Sequence, residues 1–337
     1  MTENDPRPTL EEVAALAGTS RATASRVVNQ SPKVSPSARA AVERAINELG
    51  YAPNRAARSL VTRRSDSIGL VVAESEERIF GEPFFASLVR GVSDALAGTD
   101  MQLVLLLNRS DQERSRVQRF LSTHVDGVLL VSAHAEEPLL HQLADGPIPA
   151  ILAGRPLRPT SLPYVDVDNV SGAYQAVRHL VDGGRQRIAT IAGPQDMAVG
   201  VDRLAGYRTA VDEAATSDED LVVVGDFSTG SGERGAQELL ERHPDIDAIF
   251  AASDLMAVGA LQALERAGRK VPADVAVVGF DDSVVATTTR PQLTSVHQPI
   301  SDMGRQMILR LREALEGPTL VPSATVLPTN LVRRGSS

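Results

Sequence analysis

At 337 residues and 42% hydrophobic content the chain can build two or three domains with substantial cores, and no segment reads as apolar and long enough to span a membrane. It has no Cys, which excludes disulfides, thiolate zinc sites and Cys nucleophiles, and its six His fall without HxxxH or HxH spacing, so no metal site is expected. The net charge of −9 argues against a nucleic-acid binder until the chain is divided: residues 1–64 hold ten basic and six acidic side chains, a net of +4, while the remaining 24 basic and 37 acidic give −13.

The N-terminus places acidic residues and Pro where an export signal needs a basic start and an apolar run, so a cytoplasmic protein is expected. Residues 9–29, TLEEVAALAGTSRATASRVVN, then read as a helix, a tight turn and a second helix. Thr9 can cap a first helix of about 10–17, with Glu11 and Glu12 in its first turn and Leu10, Val13, Ala14 and Leu16 inward. Gly18 ends it, because a left-handed residue is cheapest as Gly, and Ser20 caps the next helix. Ala24, Val27 and Val28 form the apolar side of that helix. Ser20, Arg21, Ala22, Ser25 and Arg26 are left for the major groove, where Arg can donate two hydrogen bonds to guanine and a small side chain can meet a thymine methyl. An ordinary helical hairpin is the competing reading of this stretch.

Ser35 and Pro36 open a third helix through about Leu49, with Ala38, Val42, Ala45, Ile46 and Leu49 at core spacing, and Gly50 ends it. Residues 51–66 read as a linker containing a short helical run, 54–60, marginal in isolation. From Ser67 short apolar runs alternate with amphipathic helices. Strands are expected at 68–73, 101–107, 125–131 and 149–153, and after Pro163 at 187–192, 221–225, 247–252 and 275–280. Two similar parallel-sheet lobes follow, with a final helix at about 299–316 and a last strand at about 324–332 that returns to one or both.

Seven segments in order carry a resemblance: TLEEVAALAG…ATASRVVN, GYAPNRAARSLVTRRSDSIGLVV, PFF at 83–85, DRLAGYR at 202–208, SDLMAVGAL at 253–261, VAVVGFDD at 275–282 and LTSVHQP at 293–299. Together they cover nearly the whole chain, which resembles the lactose and purine repressor (LacI/GalR) family of bacterial transcription factors. The resemblance implies an all-α helix-turn-helix head plus an α/β, periplasmic-binding-protein-like core of two doubly wound subdomains. It divides the chain into a head at 1–50, a hinge helix and linker at 51–66, a core N-subdomain at 67–163 plus 298–322, and a core C-subdomain at 164–297 plus 323–337.

It further implies a homodimer whose paired hinge helices enter the minor groove of a palindromic operator, with Leu60 as the wedge and Asn54 and Arg58 as backbone or groove contacts. Leu heptads of a tetramerising tail are missing, so a dimer is expected. For the effector cleft the carried-over positions are Phe84, Phe85, Arg203, Ser253, Asp254 and Asp281. Arg203 offers a planar fork for paired hydroxyls or a carboxylate, Asp281 accepts hydroxyls, one of the two Phe lies against a sugar face while the other is core, and Asp254 is either helix cap or ligand. Ser253 stands where the lactose type often has Asn.

EPFF, VDGVLL, YVDVDN, RIATIAGPQDM, GVDRLAGYR and FAASDLM most resemble cellobiose-responsive repressors of actinobacteria, favouring cellobiose or a related β-glucoside as effector. A corepressor or non-sugar ligand is the alternative, and a sugar-transport protein a remote one. With no GxSxG elbow, P-loop or metal cluster, and with Asp281 and Asp282 pointing apart at one strand end, no enzyme and no cofactor are expected.

Overall fold

The computed structural model describes residues 8–28, 31–51, 64–108, 110–216, 218–317 and 323–337. The chain divides into two compact units, Met1–Ser65 and Asp66–Ser337. In the first, α1 (Leu10–Leu16), α2 (Arg21–Val28) and α3 (Pro36–Leu49) pack around Val13, Ala14, Ala24, Val27, Val42 and Ala45. Thr9 and Glu12 form a reciprocal capping box, and Gly18 turns the chain at φ 63°. Ser35 caps α3, and Gly50 ends it in the left-handed conformation. Leu16, expected inward, is 47% exposed: Leu10, Val13, Ala14 and Ala17 complete the apolar stripe without it.

The second unit has two six-stranded sheets. The first is built from β1 (Ser67–Val72), β2 (Gln102–Leu107), β3 (Gly127–Val131), β4 (Ala150–Ala153), β5 (Tyr164–Val167) and β11 (Ala324–Leu327). The second holds β6 (Ile188–Ala192), β7 (Val222–Val224), β8 (Ala248–Ala251), β9 (Ala276–Asp281), β10 (Thr294–His297) and β12 (Asn330–Val332). The spatial orders 2-1-3-4-5-11 and 7-6-8-9-10-12 are the same pattern twice. Every pairing is parallel except β10 with β12. Parallel strands are covered on both faces, and the central runs are accordingly apolar throughout: Val128 to Val131 and Ala248 to Ala251 are all fully buried.

Around the first sheet lie α4 (Glu76–Gly81), α5 (Pro83–Leu96), α6 (Asp111–His124), α7 (Pro138–Asp145) and α13 (Ile300–Glu316). The second is covered by α8 (Asn169–Asp182), α9 (Ala198–Glu213), α10 (Thr229–Arg242) and α11 (Asp254–Arg266), with the short α12 (Val284–Thr288) beside α11. Three helix pairs touch backbone to backbone, one of them α8 and α9, where a Cβ on Gly206 would lie 2.3 Å from the Val170 carbonyl oxygen. A Cβ on Gly91 of α5 would lie 1.9 Å from the Ser301 carbonyl oxygen of α13, and one on Gly259 of α11 would lie 2.1 Å from that of Thr229 on α10.

Two subdomain boundaries differ from expectation. Tyr164–Val167 pairs with β4, and Ala324–Leu327 pairs with β5, so both belong to the first sheet rather than to the C-subdomain. The chain crosses between lobes after Val167, after His297 and after Leu327; the second is the crossing expected near 297, and the other two lie beyond those expected near 163 and 323. The displaced strands are four residues each, and Asp166 interrupts the apolar run of one while the other is an exposed edge, which is why neither reads as core in sequence. The single last strand expected at 324–332 is two strands, one in each lobe, separated at Pro328–Thr329.

Candidate functional site

On the head, Ser20 Oγ accepts the Thr23 amide at 3.2 Å and so caps α2. With Ala24 and Val27 turned into the core, Ser20, Arg21, Ala22 and Arg26 are exposed and Ser25 is half-buried. Arg21 is ion-paired through Nε with Glu11 of α1, and both side chains are well exposed. The face therefore presents guanidinium groups beside small side chains on the first turns of a capped helix, the arrangement that enters a major groove. Asn54, Arg58 and Leu60, expected in the minor groove, lie outside the described residues.

In the core unit a cleft with about 880 Å³ of empty space, its open mouth included, lies between the two sheets, where strand ends and the loops that follow them converge. Five of the six expected effector residues line it: Phe84, Phe85, Arg203, Ser253 and Asp281. Phe85 is 4% exposed and packs into the core of the first lobe, whereas Phe84 is half-buried and stands edge-on to it, with ring centroids 5.2 Å apart. Ser253 is the N-cap of α11, accepting the Met256 amide at 3.2 Å.

Arg203, in α9, is 4% exposed. Its Nε donates to Asn169 Oδ1 at 2.9 Å and its Nη1 to the Ala252 carbonyl at 2.6 Å, with Asp281 Oδ1 at 3.5 Å. The guanidinium lies 3.7 Å over the Phe280 ring. Burial pulls its pKa down and the nearby carboxylates, Asp281 foremost, hold it up. Burial pushes Asp281 up, opposed by Arg203 and by Gln298, whose Nε2 donates to the same Oδ1 at 2.5 Å. Asp281 and Asp282 adopt φ 119° and 50°, strain that commonly marks functional strand ends. Their side chains do diverge: Asp282 pairs with Arg334 and His297.

Asp254 is placed differently from either expectation. Ser253 takes the cap, and the Asp254 carboxylate is fully buried behind the cleft wall, accepting Ser283 N and Oγ at 2.7 and 3.0 Å and Ser295 Oγ at 2.5 Å. Burial, and then repulsion from Asp281, pushes its pKa up. It anchors the loop that follows Asp281 and does not line the cleft.

Other lining residues were not singled out from sequence. Asp166 is 8% exposed and accepts the amides of Arg155 and Val167 and the Asn169 side chain. Arg155 forms a two-pronged pair with Asp202, and Arg78 bridges Glu74 and Glu82 at 2.5 and 2.7 Å. Phe227 and Gln298 complete the polar-aromatic lining. YVDVDN, EPFF and LTSVHQP contain four of these residues, Asp166, Asn169, Glu82 and Gln298. They come from strand ends and crossings, where no periodicity marks a role. Among the described residues, all three guanidinium groups in the cleft are thus neutralised from within the protein.

Residues 9–54 match the profile of bacterial regulatory proteins of the lacI family, and residues 177–337 that of a periplasmic binding protein-like domain. The chain is 52% identical to the HTH-type transcriptional regulator CelR of Thermobifida fusca, over 99% of each chain. It is similar to the solved structure of a transcriptional regulator CelR–cellobiose complex at 50% identity and TM-score 0.79, covering 98% of this chain and 100% of that one. A lac repressor dimer bound to operator and the anti-inducer ONPF aligns at 28% identity and TM-score 0.85, over 98% of both.

Proposed function

Because the chain belongs to the lacI family of bacterial regulatory proteins, we propose that it is a cytoplasmic, nucleoid-associated transcriptional repressor released from a palindromic operator by cellobiose or a related β-glucoside. The observation that carries the ligand class is the charge balance of the cleft. Arg78, Arg155 and Arg203 are each already paired with carboxylates, so an anionic ligand finds no uncompensated cation, while a neutral polyol finds oriented donors and acceptors. The CelR–cellobiose neighbour supports the same class.

In this reading Arg203 and Asp281 hold hydroxyls, Ser253 borders them, and Phe84 lies against a C–H face of the sugar, with Phe85 supporting it from the core. Asp254 acts behind Asp281. Ser20, Arg21, Ala22, Ser25 and Arg26 read the major groove, and Asn54, Arg58 and Leu60 the minor groove, in a homodimer. The regulators it resembles support a binding protein rather than an enzyme.

The test is operator affinity, on DNA from upstream of its own gene at fixed salt, with and without cellobiose, glucose 6-phosphate and free glucose. Cellobiose is expected to weaken binding by at least about tenfold. Action by the phosphorylated sugar alone overturns the ligand class, and tighter operator binding with cellobiose makes the sugar a corepressor.

A further inference from the structure

Apart from the three chain crossings, side-chain ion pairs also join the lobes. His134, in the loop after β3 of the first lobe, bonds through Nδ1 to Asp196 Oδ2 at 2.7 Å, in the loop before α9 of the second. The backbone reinforces this contact, with the Ala135 amide donating to the Asp196 carbonyl at 2.8 Å. A second bridge runs from Arg155, after β4, to Asp202 in α9, with Nε to Oδ2 at 3.1 Å and Nη2 to Oδ1 at 2.7 Å. His134, Asp196 and Asp202 do not line the cleft.

We propose that these two bridges form a latch that favours the closed arrangement of the lobes, so that His134, Asp196 and Asp202 are positioning residues for effector binding. A ligand held between two lobes must first bring them together, and contacts already made across the gap reduce that cost. The latch would therefore set how much sugar is needed to move the protein off its operator. The sugar arm of the test rests on the proposed function, whereas the lobe-separation arm needs no ligand.

The charged groups facing His134 are Glu74, at the end of β1, at 3.4 Å from Nε2, and Asp196. Arg78 stands on the far side of Glu74, and on the loop itself Glu136 is paired with Arg158. The hydrogen bond to Glu74 is the largest influence; burial opposes it, and the hydrogen bond to Asp196 and the charges of both carboxylates add to it, so that the His134 pKa is pushed up to about 9. Glu74 stays beside His134 when the lobes part, but Asp196 does not, so the protonated imidazole has its second carboxylate partner only in the closed arrangement. The sign follows: the contribution is complete below the open-state pKa and is lost as pH rises through about 9.

The test uses the full chain with Asp196→Asn, Asp202→Asn and His134→Gln. Because the chain has no Cys, dyes on Arg119→Cys and Thr209→Cys, exposed on α6 and α9, can report lobe separation by energy transfer in mixed dimers with unlabelled excess. Each single substitution is expected to widen the ligand-free separation and to weaken cellobiose binding about two- to fivefold. In wild type the affinity falls as pH rises through about 9, and His134→Gln removes that dependence. Unchanged separation in both Asp variants overturns the latch. If wild type binds no cellobiose, the sugar reading fails, and the separation measurement still decides the latch.

Discussion

At Arg203 one buried guanidinium holds Asn169, the Ala252 carbonyl and Asp281 and also lies over Phe280. Lysine keeps the charge but has neither the fork nor the planar face. Arg203→Lys is expected to leave at least one buried partner unsatisfied, costing about 1–3 kcal/mol in thermal unfolding, and to weaken cellobiose binding at least about tenfold by calorimetry. The two phenylalanines should separate in the same two assays. Phe85→Ala opens the core and should cost about 3–5 kcal/mol of stability, whereas Phe84→Ala should cost about 1–2 kcal/mol while weakening sugar binding more than a stability effect explains. A sugar affinity untouched by Phe84→Ala would remove that ring from the ligand. These side chains were visible in sequence because they sit in ordered motifs. Asp166 and Gln298 were not, since a polar residue beside a strand end looks the same whether it faces solvent or a cleft. Asp254 was misplaced for a related reason: two neighbouring polar residues, Ser253 and Asp254, both fit a cap, and only the fold decides between them.

At the scale of elements, the three head helices and the central strands were legible because their signals are local: caps, the glycine after a helix, and continuous apolar runs. The Thr9–Glu12 capping box, the turn at Gly18 and the Ser35 cap all lie within a few residues of what they organise. The short strands Tyr164–Val167 and Thr294–His297 depend instead on partners distant in the chain, and the apolar alternation of four residues is too little to identify them. Arg21 is exposed at the start of α2 and held by Glu11. If it reads a guanine edge, Arg21→Ala should cost about 1–3 kcal/mol on the preferred operator and relax preference at one base position. A uniform loss across all operator variants would make Arg21 a phosphate contact instead.

The whole molecule repeats one lobe plan twice and exchanges chain between the copies three times, so neither lobe can move without loading the same crossings. Such an arrangement suits a two-state hinge, and two states impose a thermodynamic symmetry on its ligands. A sugar shifts operator occupancy only by the difference in its affinity for the two states, and a hundredfold effect corresponds to about 2.7 kcal/mol. The same coupling must be read from the other side: saturating operator DNA should weaken cellobiose binding by the factor by which cellobiose weakens operator binding. Calorimetric titration of cellobiose into the free protein and into the operator complex checks this directly. Equal factors would establish the two sites as coupled through one conformational equilibrium. A sugar affinity unaffected by DNA, alongside sugar-induced release, would violate linkage at equilibrium and would point to release through an altered oligomeric state, which the concentration dependence of the same titrations would expose.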